Sequence, residues 1–208
     1  MKQPEKGSGN LFTHRRLEAL TRTSPWVIFP MDLLLAFGMA FYAWQLLGAE
    51  LLNYVWLFFL GLFVWTFIEY SLHRFAFHRR PRSEADKKRL YIMHGIHHNY
   101  PHDADRLLMP PFVNLAIAAS LTGFFALFMG KLVFLFMPGV ILGYLTYAFI
   151  HYSIHRYKPF FPWLKPLWRN HNLHHFRYPN MGFGVSTLLW DKVFGTLPPK
   201  HLGGDQKG

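Results

Sequence analysis

The chain has 208 residues, 51% hydrophobic and 19% aromatic, with a formal net charge of +11 and no cysteine. That length fits one or at most two domains, and the missing cysteines exclude disulfides and thiolate-ligated clusters. The basic residues flank long apolar runs, so the charge reads as membrane topology and anionic-lipid contact, not as a nucleic-acid surface.

In chain order, Met1–Asn10 reads as a loose tail, and Leu11–Arg22 could form a short interfacial helix. Together residues 1–24 form an N-terminal cytoplasmic tail and interfacial segment. The first apolar run, Trp26–Leu47, is longer than the core of a signal peptide and lacks a small-residue cleavage site, so it is expected to stay as an anchor. Leu51–Ser71, Phe112–Met129 and Leu132–Tyr152 follow as further candidate spans, each near the roughly 20 residues that cross a hydrocarbon core. Short turns at Gly48–Glu50 and Gly130-Lys131 pair them into two helical hairpins. Pro138-Gly139 interrupts the last run. Either the helix kinks there, or Leu132–Met137 lies in the interface and the helix starts at Pro138. On this four-span reading 21 of the 22 Lys and Arg residues lie on one side, with Lys131 alone opposite. The positive-inside rule makes that side cytoplasmic, with both termini, in a bacterial inner membrane or an ER membrane. The expected fold is all-α and integral to the membrane: four transmembrane helices in two hairpins, with a cytoplasmic helical cap holding a histidine-rich di-metal site.

That site is read from ten of the thirteen histidines. They form H-x4-H (His73, His78), H-x2-H-H (His94, His97, His98), H-x3-H (His151, His155) and a second H-x2-H-H (His171, His174, His175). Neutral imidazole is the commonest side-chain metal ligand, and one ion takes about four to six ligands, so ten suit two ions. All four clusters fall on the cytoplasmic side, in the order span, cluster, cluster, twice over. That is a weak internal repeat, and it pairs the clusters around one centre. Residues i, i+3 and i+4 share a helix face, so each triplet can point at least two rings one way, as can His151 and His155. His73 and His78 stand roughly 140° apart on an ideal helix, so the second helix must end, widen or bend between them. His14, His102 and His201 read as solvated surface residues.

Carboxylates are scarce: eleven in all, none inside a histidine cluster. Glu69, four residues before His73, is either an interfacial helix charge or an acceptor for a ligand imidazole. Asp103, Asp105 and Asp191 are further candidate acceptors. Asn99 and Asn172 adjoin clusters and could bond a ligand ring or a substrate headgroup.

These motifs resemble the fatty acid hydroxylase superfamily of membrane di-metal enzymes, and within it the hydroxylase domain of fatty acid 2-hydroxylases. The resemblance rests on His73-Arg74-Phe75-Ala76-Phe77-His78, His94-Gly95-Ile96-His97-His98, the stretch Tyr147–His155, Asn170-His171-Asn172-Leu173-His174-His175-Phe176, Phe183-Gly184-Val185-Ser186 and Trp190-Asp191. The more discriminating text is Pro101-His102-Asp103-Ala104-Asp105-Arg106-Leu107 with Pro110-Pro111. The resemblance covers roughly residues 25–200, leaving 201–208 as a C-terminal tail. It implies that the ten histidines ligate two iron ions. It also implies hydroxylation at C2 of a fatty acyl chain, free or in a sphingolipid, with O2 and external electrons. Eukaryotic members often begin with a cytochrome b5 domain bearing H-P-G-G. That motif is absent here, so the resemblance implies a separate donor, such as a cytochrome b5 or ferredoxin-type protein.

Abstracting hydrogen from an alkyl chain needs a stronger oxidant than any side chain, which a reduced metal pair with O2 provides. Histidine sites bind Zn2+ more tightly than Fe2+, so zinc can occupy the site in purified protein. Phe77, Tyr147, Phe149 and Phe183 could line an acyl slot, and Arg74, Arg106 and Arg177 could form a basic rim for a headgroup or an electron donor. The rival readings are another superfamily chemistry, such as sterol or carotenoid hydroxylation or desaturation, and a membrane metal carrier. A carrier would place polar ligands inside its spans, whereas Asp32 and Gln45 are the few polar groups in the first one.

Overall fold

The computed structural model describes residues 7–48 and 51–199. The 201–208 tail, residues 1–6, and Ala49 and Glu50 of the first turn lie outside those residues. The described chain is all-helical. The expected helix over Leu11–Arg22 is present only as α1, Arg15–Ala19. Ser24 then caps α2 (Pro25–Leu47), accepting from the Trp26 N–H at 3.3 Å, and Pro25 supplies a preset first turn. Gly48, at φ +49°, ends α2 in the left-handed conformation that glycine adopts without strain. α3 (Leu51–Ser71) returns and passes directly into a π-helical turn, Leu72–Phe77.

Outside the long helices, Ser83 caps α4 (Glu84–Leu90), and the chain widens again into a π-helical turn at Tyr91–Gly95 before α5 (Ile96–Asn99). Asp86 holds α4 to the preceding loop. It takes two bonds of 2.5 Å from the Arg79 guanidinium and one from the Arg82 N–H, and the Arg79 bonds hold its carboxyl well below the usual carboxylate range. A short turn, Ala104–Arg106, leads to α6 (Pro111–Met129). Gly130–Leu132 then reverses the chain into α7 (Val133–Arg156), and α8 (Lys165–Phe176) and α9 (Leu189–Val193) complete the described helices.

Among the described residues, three runs are long and apolar enough to cross a membrane: Pro25–Gln45, Leu52–Phe77 and Ala104–Arg156. The last holds both α6 and α7, which the tight turn at Gly130–Leu132 joins into one apolar stretch. Large apolar residues on these helices are exposed, Trp26 at 87%, Leu127 at 81% and Leu34 at 71%, as befits helices solvated by lipid.

α7 runs through the core, packed on α3 and α2. It is continuous across Pro138, so the alternative of a helix starting at Pro138 does not hold. Val133, Leu135, Phe136 and Met137 are buried in the core and not laid in an interface; their packing holds the helix together although Pro138 has no N–H to donate. The contact with α3 is made backbone to backbone at two glycines. A Cβ on Gly139 would collide with Phe58 O and stand 2.8 Å from Phe58 C and 2.9 Å from Leu62 N. One on Gly61 would collide with Phe136 O and stand 3.0 Å from Val140 N. His73 lies twelve residues beyond Gly61, and His151 twelve beyond Gly139. The closest approach of the two helices thus sits about 18 Å below the first histidine of each pair.

Candidate metal centre

The π-helical turn resolves the mismatch between His73 and His78. The His78 N–H donates to His73 O at 3.1 Å, an i→i+5 bond that stacks the two residues on one face. The ten clustered histidines converge into two sets: His73, His78, His94, His98 and His174, and His97, His151, His155, His171 and His175. Within each set the candidate ligand nitrogens lie within 4.8 Å of one another. Each triplet is divided. The i, i+4 rings (His94 with His98, and His171 with His175) join the pair from their own half of the chain, while His97 and His174 cross to the other set.

Ring hydrogen bonds fix the tautomers. His73 Nδ1 donates to Phe183 O at 2.6 Å, His174 Nδ1 to Met181 O at 2.8 Å, and His151 Nδ1 to Leu107 O at 3.1 Å. A ring that donates through Nδ1 carries a bare lone pair on Nε2. Those Nε2 atoms face His94 Nε2 at 3.1 Å, His78 Nε2 at 3.0 Å and His97 Nε2 at 3.0 Å. Nitrogens about 2.1 Å from a common ion and at right angles to one another lie about 3.0 Å apart. The rings therefore fit a cation in each set. Burial pushes the imidazoles of His78, His94, His97, His171, His174 and His175 below their ordinary pKa, and that of His98 down to about 3. They are neutral at pH 7, the form in which a histidine ligates.

Acidic side chains act one step further out than the sequence suggested. Glu69 bonds no imidazole among the described residues. It accepts from the Val185 N–H at 2.6 Å and the Ser186 N–H at 2.9 Å, and from the Ser186 hydroxyl. Asp191 accepts from the N–H groups of Phe183 and Gly184 and from the Thr196 hydroxyl. The two buried carboxylates clamp the loop whose carbonyls orient His73 and His174. Asp103 caps the Ala104–Arg106 turn, and Asp105 takes the Arg22 guanidinium at 3.7 Å. Asn172 makes no side-chain hydrogen bond among the described residues, and Asn99 reaches only Tyr91 OH, at 3.5 Å.

Arg106 is not on a rim. Its side chain is 2% exposed; it donates to Gly9 O and Thr21 Oγ1 and pairs with Glu18 and Asp103. It ties the segment before α2 to the loop that presents Leu107 O to His151. Arg74 is half-buried, donating to Tyr70 OH at 2.7 Å, and Arg177 is exposed. Phe77 stacks on the His94 ring at 5.1 Å, Tyr147 on the His151 ring at 5.4 Å, and Phe183 lies 5.8 Å from the His73 ring. Phe149 is exposed and stacks on Phe160, away from the histidines, because it faces outward from α7. His102, exposed, bonds His155 O at 3.3 Å; His14 is exposed and His201 lies outside the described residues.

Residues 58–196 match the family model described as fatty acid hydroxylase. The chain belongs to the fatty acid hydroxylase family. It is 39% identical over 161 residues to a dihydroceramide fatty acyl 2-hydroxylase of Arabidopsis thaliana, covering 73% of this chain and 65% of that one. A ceramide very long chain fatty acid hydroxylase of Saccharomyces cerevisiae is 36% identical over 215 residues, covering 96% of this chain and 51% of the relative. The chain thus spans between half and two thirds of the length of these two curated relatives. A solved structure, described as full-length scs7p with only its hydroxylase domain visible, superposes with a TM-score of 0.85 at 34% identity, covering 93% of this chain and 74% of the other. All ten clustered histidines of this family member lie inside the matched residues. Sequence reading missed the ring acceptors of the two histidine sets, because they are backbone carbonyls and leave no side-chain signature.

Proposed function

We propose that this chain hydroxylates C2 of a fatty acyl chain, free or amide-linked in a ceramide-type lipid, as an O2-dependent monooxygenase. The observation that carries the reading is the pair of five-imidazole sets at the ends of apolar helices, in a chain similar to enzymes named for fatty acyl 2-hydroxylation. His73, His78, His94, His98 and His174 would hold one metal ion, and His97, His151, His155, His171 and His175 a second. Two iron ions held there would supply the O2 activation that an unactivated C–H bond demands. Zinc can take their place in purified protein.

The chain's own part is placement. The carbonyls of Phe183, Met181 and Leu107 keep three Nε2 lone pairs aimed inward. Phe77, Tyr147 and Phe183 close apolar surface over the rings, which excludes water and offers a wall to an acyl chain. Arg74 and Arg177 are the basic groups left to meet an anionic headgroup or a redox donor, which we take to be a cytochrome b5 or ferredoxin-type protein. We read α2, α3, α6 and α7 as four crossings in two hairpins under a cytoplasmic helical cap, with residues 25–200 as one hydroxylase domain. The support is the charge asymmetry of the sequence, in which Lys131 falls at the α6–α7 turn and the other 21 Lys and Arg residues fall in the segments that flank the opposite ends of the four apolar runs. Mass spectrometry of hydrolysed lipid from cells expressing this chain tests the reading, beside cells expressing His94→Ala and with a donor supplied. A 2-hydroxy fatty acid should form with the wild type alone. A wild type that yields none, or yields a differently oxidised lipid, overturns the assignment.

A further inference from the structure

The two histidine sets differ in how their rings are held. In the set of His73, His78, His94, His98 and His174, two rings donate Nδ1–H to carbonyls of one loop. That loop is itself fastened by Glu69, Asp191 and a 2.7 Å bond from the Gly182 N–H to Thr196 O. In the other set, among the described residues, only His151 has such an acceptor, at the longer distance of 3.1 Å. There the Nδ1 atoms of His97, His171 and His175 are buried with no hydrogen-bond partner among the described residues, and the first set contains no such atom. An acceptor at Nδ1 does two things for a ligand: it selects the tautomer with a bare Nε2, and it raises the basicity of that nitrogen. Losing it typically costs 10–100-fold in metal affinity. A buried ring without an acceptor has neither advantage, and in its ligating tautomer it holds an unpaired N–H away from water.

We infer that the two ions of this centre are held unequally, tighter among His73, His78, His94, His98 and His174 than among His97, His151, His155, His171 and His175. The inference rests on the two-ion reading proposed above. The second ion is the one that chelators and low metal supply remove first.

Titration of metal-free full chain in detergent micelles with Co2+ against a chromophoric chelator tests this without any turnover. The wild type should take up two ions with dissociation constants 10–100-fold apart. His151→Ala/His155→Ala should keep the tighter constant, and His78→Ala/His94→Ala the weaker one. Footprinting with diethyl pyrocarbonate reads the same order in the wild type should either double variant fail to fold. One equivalent of Co2+ should protect the half-buried His78 and His98 and leave half-buried His175 reactive. Two ions of equal affinity, or protection of His175 first, overturn the inference alone. A wild type that binds one ion overturns the two-ion centre as well.

Discussion

Replacing Gly139 with alanine tests how the helix contact sets the site. The new Cβ would stand 2.8 Å from Phe58 C and 2.9 Å from Leu62 N, against ordinary contact from 3.4 Å, and it would overlap Phe58 O outright. The neighbours are backbone, so no side chain can rotate away. α3 and α7 must part by more than 1 Å, and forced overpacking of this kind costs about 1–3 kcal/mol. The displacement is carried to His73 and His151, whose rings open the two histidine sets, and a misplacement of about 1 Å at reacting groups can cost about 100-fold in rate. Gly38→Ala is the control: nothing lies within 4 Å of its Cβ, and mid-helix alanine gains about 0.5–1 kcal/mol over glycine. The assay is thermal unfolding in micelles together with product formation at matched protein levels. Gly139→Ala should unfold at lower temperature and lose most of its activity, while Gly38→Ala does neither. If the two variants behave alike, the glycine contact does not govern the site.

Arg106→Met removes a buried guanidinium that bonds Gly9 O and pairs with Glu18 and Asp103, while Glu18 keeps Arg22 and the Leu11 and Phe12 N–H groups, so it should cost about 1–3 kcal/mol, measurable as a fall in the unfolding midpoint. Glu69→Gln retains the shape of the loop clamp but replaces one carboxyl oxygen with an amide NH2, which weakens its hold on Val185 and Ser186. We expect metal affinity to fall by about 10-fold, read by chelator competition, with the fold intact by circular dichroism. Acid should destabilise the metal-free protein. His98 stays neutral in the folded state until about pH 3, whereas the unfolded chain protonates it near 6.5. Its contribution is therefore complete above about pH 6.5 and is lost as pH falls toward 3, at about 1.4 kcal/mol per pH unit. A flat unfolding midpoint from pH 7 to pH 5 would contradict this.

Much of the centre was legible in the sequence because helical periodicity is arithmetic. The five-residue spacing of His73 and His78 demanded a departure from the α-helix, and the π-helical turn supplies it. The spacing of His94, His97 and His98 fixed a shared face but could not reveal that the middle ring turns to the other set, since that depends on how the two halves dock. The second widened turn, at Tyr91–Gly95, had no comparable signal, because a single histidine inside it sets no spacing conflict. Arg106 looked like a rim cation because sequence gives charge and not burial. Its partners, Gly9 and Glu18, lie some ninety residues away. Glu69, four residues before His73, reads in sequence as a partner for that ring, but its bonds go to the backbone N–H groups of Val185 and Ser186, which pattern reading does not see.

The crossing of His97 and His174 also bears on how the protein is made. A ribosome delivers His73, His78, His94 and His98 long before His174, and His97 must wait for His151, His155, His171 and His175. Neither set of five can close while the nascent chain ends before residue 171, however well its first hairpin is inserted. On the two-ion reading proposed above, metal capture is thereby tied to completion of the chain, and a truncated product would be left with open, incomplete ligand sets.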